Sequence, residues 1–136
     1  MTNKEFIQKI DNGEAKVLTV EAAKQLKGKR ILYFYFAYNI NKETVKELVV
    51  GDVVSEWDFY KTQPCPGYSN RTEMWEETLE EERIEEHKNR LLLLSAEGDC
   101  LNAEDETFCI YSDSEFFDEP TFCCTDSDVE VYYLAL

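Results

Sequence analysis

Residues 30–38 read R-I-L-Y-F-Y-F-A-Y, and this stretch decides the fold class. It is rich in Ile, Tyr and Phe, which suit a pleated, half-buried surface. It lacks the polar alternation of a strand with one wet face, so it reads as central in a sheet. A central strand needs neighbours, and the sequence on both sides supplies them.

Downstream, Asn39-Ile40-Asn41 reads as a turn. The run from Thr44 to Tyr60 then carries Val45, Val49, Val50, Val53 and Val54, followed by Trp57, Phe59 and Tyr60. Gly51-Asp52 interrupts it. A hairpin turning there and a single strand with a bulge both fit; the expectation is two strands. Upstream, Thr2 with Glu5 forms a capping box for a first helix bearing Phe6, Ile7 and Ile10 on one stripe, which stops at Asn12-Gly13. Ala15 to Leu18 reads as a short strand. Thr19 caps a second helix, with Glu21 early and Lys24 and Lys27 late, as the helix dipole favours, and Gly28 ends it. The 13 residues between Leu18 and Leu32 leave room for one parallel crossover.

Gln63 to Asn70, Q-P-C-P-G-Y-S-N, is a loop. Asn70 or Thr72 caps the longest helix, predicted to run to about Asn89. Arg90 to Ala96, led by Leu91 to Leu94, reads as a buried strand. Glu97 to Glu106 is a polar connection, and Thr107 to Ser112, Thr121 to Thr125 and Val129 to Leu134 read as three final strands. The expected fold is α+β: a largely antiparallel sheet of about six or seven strands with three helices packed mainly on one face. Residues 1–136 read as a single acidic domain.

Charge is distributed unevenly along the chain. Of 136 residues, 14 are Lys or Arg and 29 are Asp or Glu, for a net charge of -15. Residues 1–70 are close to neutral, with ten basic and nine acidic side chains. Residues 71–90 hold four basic and eight acidic, and residues 91–136 hold twelve acidic and no Lys or Arg. Such a surface repels phosphate backbones, so no direct nucleic-acid ligand is expected. Residues 1–13 carry charges throughout and have no signal-peptide core, and the longest apolar stretch, Ile31 to Tyr38, is too short to span a bilayer. The expectation is a cytoplasmic protein with no membrane partner, whose five cysteines are reduced thiols. Asn70-Arg71-Thr72, which matches a glycosylation sequon, reads as chance in that setting.

On one continuous helix, Glu73/Glu77, Glu76/Glu80, Glu77/Glu81, Glu81/Glu85 and Glu82/Glu86 would be like-charge i,i+4 pairs, each costing about 0.2–0.5 kcal/mol. A cationic partner would relieve that repulsion. Glu77, Glu80 and Glu81, with Asp113, Asp126 and Asp128 beyond, are therefore the candidate residues for binding a basic protein partner. In bulk charge the chain resembles small acidic inhibitors that neutralise toxins or imitate DNA; no motif accompanies that likeness. The competing reading of the same charges is a solvated, solubilising face.

No catalytic constellation emerges. The cysteines (Cys65, Cys100, Cys109, Cys123, Cys124) are spaced 35, 9, 14 and 1 apart, without C-x-x-C, so no metal or other cofactor is expected. Acidic neighbours should disfavour thiolates at the last four, which read as small core or strand residues. Cys65, between two prolines, should be the most exposed thiol. Asp126-Ser127-Asp128-Val129-Glu130 lacks the glycine and distal glutamate of a calcium loop and reads as a turn, with a weak calcium site as the alternative. The sole histidine, His87, reads as a solvent-facing helix position. There is no phosphate-binding glycine loop and no nucleophile elbow.

The leading functional expectation is thus a non-enzymatic interaction or inhibitor-type protein. The alternative is a small-molecule-binding domain or an enzyme centred on the Gln63–Asn70 loop, with Trp57, Tyr60, Cys65 and Tyr68 as its weak ligand-binding set. A third expectation is a homodimer, because Val129, Val131 and Tyr133 on one face and Tyr132, Leu134 and Leu136 on the other make the last strand apolar on both sides.

Overall fold

The run that begins at Arg30 becomes an interior strand of a five-stranded sheet. In the computed structural model, residues 1–39, 41–103, 106–111, 118–124 and 129–136 are described. The elements in chain order are α1 (Asn3–Asp11), β1 (Lys16–Val17), α2 (Val20–Gln25), β2 (Arg30–Phe34), β3 (Lys46–Ser55), α3 (Glu56–Lys61), α4 (Arg71–Thr78), α5 (Glu81–Asn89), β4 (Leu91–Ser95), β5 (Asn102–Ala103), β6 (Glu106–Tyr111), β7 (Thr121–Cys124) and β8 (Tyr132–Ala135). The fold is α+β and the strand pairings are antiparallel. Ile40 of the expected turn, Ser112 and Thr125 at predicted strand ends, and residues 104–105 of the polar connection lie outside the described residues. No helix among the described residues is long and apolar enough to cross a membrane.

The strands divide between a sheet of order β1-β8-β2-β3-β4 and a sheet of order β5-β6-β7. β8 is antiparallel to both β1 and β2, so β1 and β2 run in the same direction. The crossover that the sequence left room for is therefore present, with the last strand inserted into it. Insertion also explains why that strand is apolar on both sides. Tyr133 packs against the main core, while Tyr132 and Leu134 pack into a second cluster on the opposite face.

The main core is built from Leu18, Ile31, Tyr33, Leu48, Val50 and Leu93 on one side and Phe108, Ile110, Phe122 and Cys124 on the other, with Val20 and Ala23 of α2 and Leu26 at its C-terminal cap. The second cluster seats α1. Its capping box forms as expected: Thr2 Oγ1 accepts from the Glu5 N–H at 3.2 Å, and the Thr2 N–H donates to Glu5 Oε1 at 3.3 Å. Phe6 is fully buried and stacks on Phe34 at 5.2 Å. Burial of such a ring contributes about 1.5–3 kcal/mol. The Asn3 side chain fastens the start of α1 to the β2–β3 connection, donating to Lys42 O at 2.8 Å and accepting from the Thr44 N–H at 2.9 Å.

Two elements differ from the sequence reading. The Thr44–Tyr60 run is not two strands: β3 is one strand, with a register shift between Val50 and Val53, and Trp57, Phe59 and Tyr60 belong to α3. Gly51 is required there by close approach. A Cβ on it would lie 2.0 Å from the Ser95 carbonyl oxygen of β4. The predicted long helix is also broken, at Leu79, whose backbone is extended (φ -102°, ψ 153°). The break takes the Glu76/Glu80 and Glu77/Glu81 pairs off a common helix. It also places Glu81 and Glu82 in the first turn of α5, where the helix dipole favours negative charge.

Gly51→Ala should destabilise the fold by about 1–3 kcal/mol, the usual cost of overpacking, read as a lower urea midpoint. An unchanged midpoint would show that the β3–β4 contact relaxes freely.

Candidate functional site

The candidate site is the three-helix layer of α3, α4 and α5, where a buried polar cluster supports an acidic surface. Its centre is Glu56, the first residue of α3, only 4% exposed. A buried carboxylate must be paired to be tolerated. His87 Nδ1 of α5 faces Glu56 Oε1 within hydrogen-bonding distance. Arg90 Nη1 reaches Glu56 Oε2 at 3.5 Å. The Glu56 N–H also donates to the Arg90 carbonyl at 2.9 Å. Burial works against the Arg90 charge, but Glu56, Cys109 and Glu86 together hold its pKa above the ordinary value.

Aromatic rings close over this cluster. Trp75 lies parallel to the His87 ring, with centroids 4.1 Å apart and planes 6° from each other. Trp57 and Tyr60 meet Trp75 at 5.8 and 5.3 Å. The Arg71 guanidinium sits 4.9 Å over Tyr60, and the Lys88 ammonium 5.1 Å over Trp57. His87 is therefore not a solvent-facing residue: its side chain is 20% exposed, held between a ring and a carboxylate. The imidazole joins α5 to α3. Among the described residues, no group of three or more His, Cys, Asp or Glu side chains is placed to hold a metal ion.

The four residues of the ligand-binding expectation are distributed around this layer. Trp57 is buried and Tyr60 half-buried, both in contact with Trp75. Burial, then Cys100, raises the Tyr60 pKa. Cys65 and Tyr68 end a tight turn, with Gly67 at φ 85° behind Pro66 and the Tyr68 N–H donating to Cys65 O at 3.0 Å, which is type II chemistry. Cys65 Sγ lies 3.9 Å from Met74 Sδ. It is half-buried, no more exposed in class than Cys100. The Glu77 carboxylate raises the Tyr68 pKa. A cavity of about 140 Å³ opens elsewhere, at the β3 bulge, with Lys27, Asp52 and Ser95 in its wall.

Of the candidate partner-binding residues, Glu77, Glu80 and Glu81 flank the junction where α4 gives way to α5, and all three are exposed. Asp113, Asp126 and Asp128 lie outside the described residues, as do the first three positions of the expected turn or calcium site at 126–130. The acid that sequence reasoning missed is Glu56. The only local signal is its place in the run V-V-S-E-W, a single acid among apolar residues; its partners lie 31 and 34 positions away. The thiols show a second difference. Burial comes first in raising the pKa of Cys100 and Cys109, the latter to about 11, and the carboxylate of Glu56 follows.

Comparison of the chain with protein-family models, curated proteins and solved structures finds no match.

His87→Ala leaves the buried Glu56 with Arg90 alone and removes the ring beneath Trp75. Stability should fall by about 1–3 kcal/mol in urea unfolding. Amides of α5 should lose exchange protection before those of β2 and β3. Full retention of α5 protection would show that this cluster does not hold the helix.

Proposed function

We propose that the protein is a non-enzymatic interaction protein whose acidic α4–α5 corner binds a basic protein partner. One observation carries the reading. All eight glutamates between residues 71 and 90 are exposed, and of these only Glu85 has an ion-pair partner among the described residues, Lys88 at 4.0 Å. Three of the four local cations are committed elsewhere, Arg90 to Glu56, Arg71 to the Tyr60 ring and Lys88 also to the Trp57 ring, which leaves Arg83, exposed on α5, against eight glutamates. The corner thus carries uncompensated negative charge, which favours approach by Lys- and Arg-rich surfaces. The packing of Trp75, His87 and Glu56 supports the reading, because charges mounted on a pinned helix keep a fixed geometry toward a partner. We place this activity in the cytoplasm, in keeping with five cysteines that stand as thiols.

The test is capture from native lysate on the tagged protein, washed at low and then high salt, against a variant carrying Glu77→Lys, Glu80→Lys and Glu81→Lys. The native protein should retain a basic protein that salt releases, and the variant should lose it. The variant should fold with stability within about 1 kcal/mol of the native chain, since exposed charges contribute little. Equal capture by the two proteins would refute a binding surface at this corner.

A further inference from the structure

Strand register sets three cysteines in a row, a feature separate from the acidic corner. On β6 and β7, Cys109 is directly opposite Cys123. On β5 and β6 the pairing ends with Asn102 opposite Thr107; the same register extrapolated two residues past that end would set Cys100 across from Cys109 on its other side. Cys100 also bridges to Leu94 of β4, which fixes the path of the chain there. The Cys100 and Cys109 thiols are close enough to influence each other's charge. Residues opposed on antiparallel strands share a face, with Cα atoms about 4.5–5.5 Å apart. A disulfide spans about 4.4–6.8 Å between Cα atoms, so neighbours in the row are within bonding reach.

The row is graded in exposure. Cys100 is half-buried, Cys109 is 6% exposed and Cys123 fully buried. Cys124 turns to the opposite face, into the core between the sheets. A row about 10 Å long cannot converge on one tetrahedral metal ion, whose thiolate ligands sit about 2.3 Å from it. It can pass a disulfide from one neighbour to the next.

We propose that Cys100, Cys109 and Cys123 form a reversible thiol-oxidation site that closes a disulfide in response to hydroperoxides. The Cys100 thiolate attacks the peroxide, the O–O bond breaks, and Cys100 becomes a sulfenic acid as hydroxide or alkoxide leaves. The Cys109 sulfur attacks the Cys100 sulfur, its proton leaves with the hydroxyl as water, and the S–S bond forms. Two thiols lose two electrons in all, and one peroxide gains them. Cys123 then exchanges with that bond, releasing Cys100 and leaving Cys109–Cys123, and a dithiol reductant restores three thiols. Reaction begins at Cys100, the accessible end. Burial and the Glu56 carboxylate raise its pKa, so the rate should climb about tenfold per pH unit near neutrality.

The experiment treats the full chain with hydrogen peroxide, blocks remaining thiols under denaturing conditions and maps linked peptides by mass spectrometry. The expected result is a monomer that has lost two thiols, with Cys100 linked to Cys109 or Cys109 to Cys123, reversed by dithiothreitol. Cys65→Ser should behave the same way, and Cys100→Ser should close the bond at least about tenfold more slowly, because it must start from a buried thiol. If that variant does not fold, the map of the native chain decides alone. Retention of all five thiols, a link to Cys65 or Cys124, a link between chains, or oxidation of Cys100 without a link would each overturn the proposal.

Discussion

Backbone hydrogen bonds among Leu18, Phe122 and Val131 hold the two sheets together, and much of the molecule depends on them. The Leu18 N–H donates to Val131 O at 2.7 Å, the Phe122 N–H to Leu18 O at 3.0 Å, and the Val131 N–H to Phe122 O at 3.0 Å. Segments from the beginning, the end and the last hairpin of the chain meet there. All three side chains are fully buried. With β7 held beside β1 and β8, the inner faces of the sheets close over one core. At the other side, the Leu101 N–H to Leu93 O bond at 3.4 Å and the Leu94–Cys100 bridge draw the small sheet to β4. Buried backbone groups have to be paired, so this closure satisfies the edges as well as the apolar faces.

That architecture accommodates the lopsided charge of the chain. The second half contributes apolar residues to the interior: Leu92, Leu93, Phe108, Ile110, Phe122, Cys124 and Val131. Of the described acids of that half, Glu97, Asp99, Asp118, Glu119 and Glu130 fall outside the strands, and Glu106 opens β6. Acidity and core formation therefore do not compete for the same positions. Glu56 is the exception, from the balanced first half. It is tolerated because Arg90 and His87 reach it, and its pairing couples α3 to α5 beneath the aromatic layer. A paired buried carboxylate adds little net stability against an apolar replacement, but it fixes which residues must meet. Here it fixes how the acidic helices sit on the sheet.

Legibility from sequence follows the range of the forces involved. The caps of α1 and α2 were readable because Thr2 and Thr19 bond to backbone three residues away. The Pro66-Gly67 turn was readable because φ preference is a property of the residue itself. The strand Arg30–Phe34 and the strands ending the chain were readable from β-branched and aromatic content. The bulge in β3 was not, because Gly51 answers to the Ser95 carbonyl on another strand, and the local run fits a hairpin equally well. The break at Leu79 was not, because its glutamates read as one continuous helical pattern. The charges at Glu77, Glu80 and Glu81 were legible as acids, while their division between α4 and the start of α5 depended on that break.

The sequence by itself determined the α+β class, the approximate places of most strands, the starts of α1, α2 and α4, the absence of recognisable catalytic motifs and the asymmetry of charge. These rest on composition, periodicity and contacts a few residues long. Only the tertiary structure decided that β8 enters between β1 and β2, that Glu56 is buried against His87 and Arg90, and that Cys109 stands opposite Cys123. Each joins residues distant in the chain through strand register or helix docking. One residue of slip would turn those side chains to the other face, and no local pattern encodes the choice.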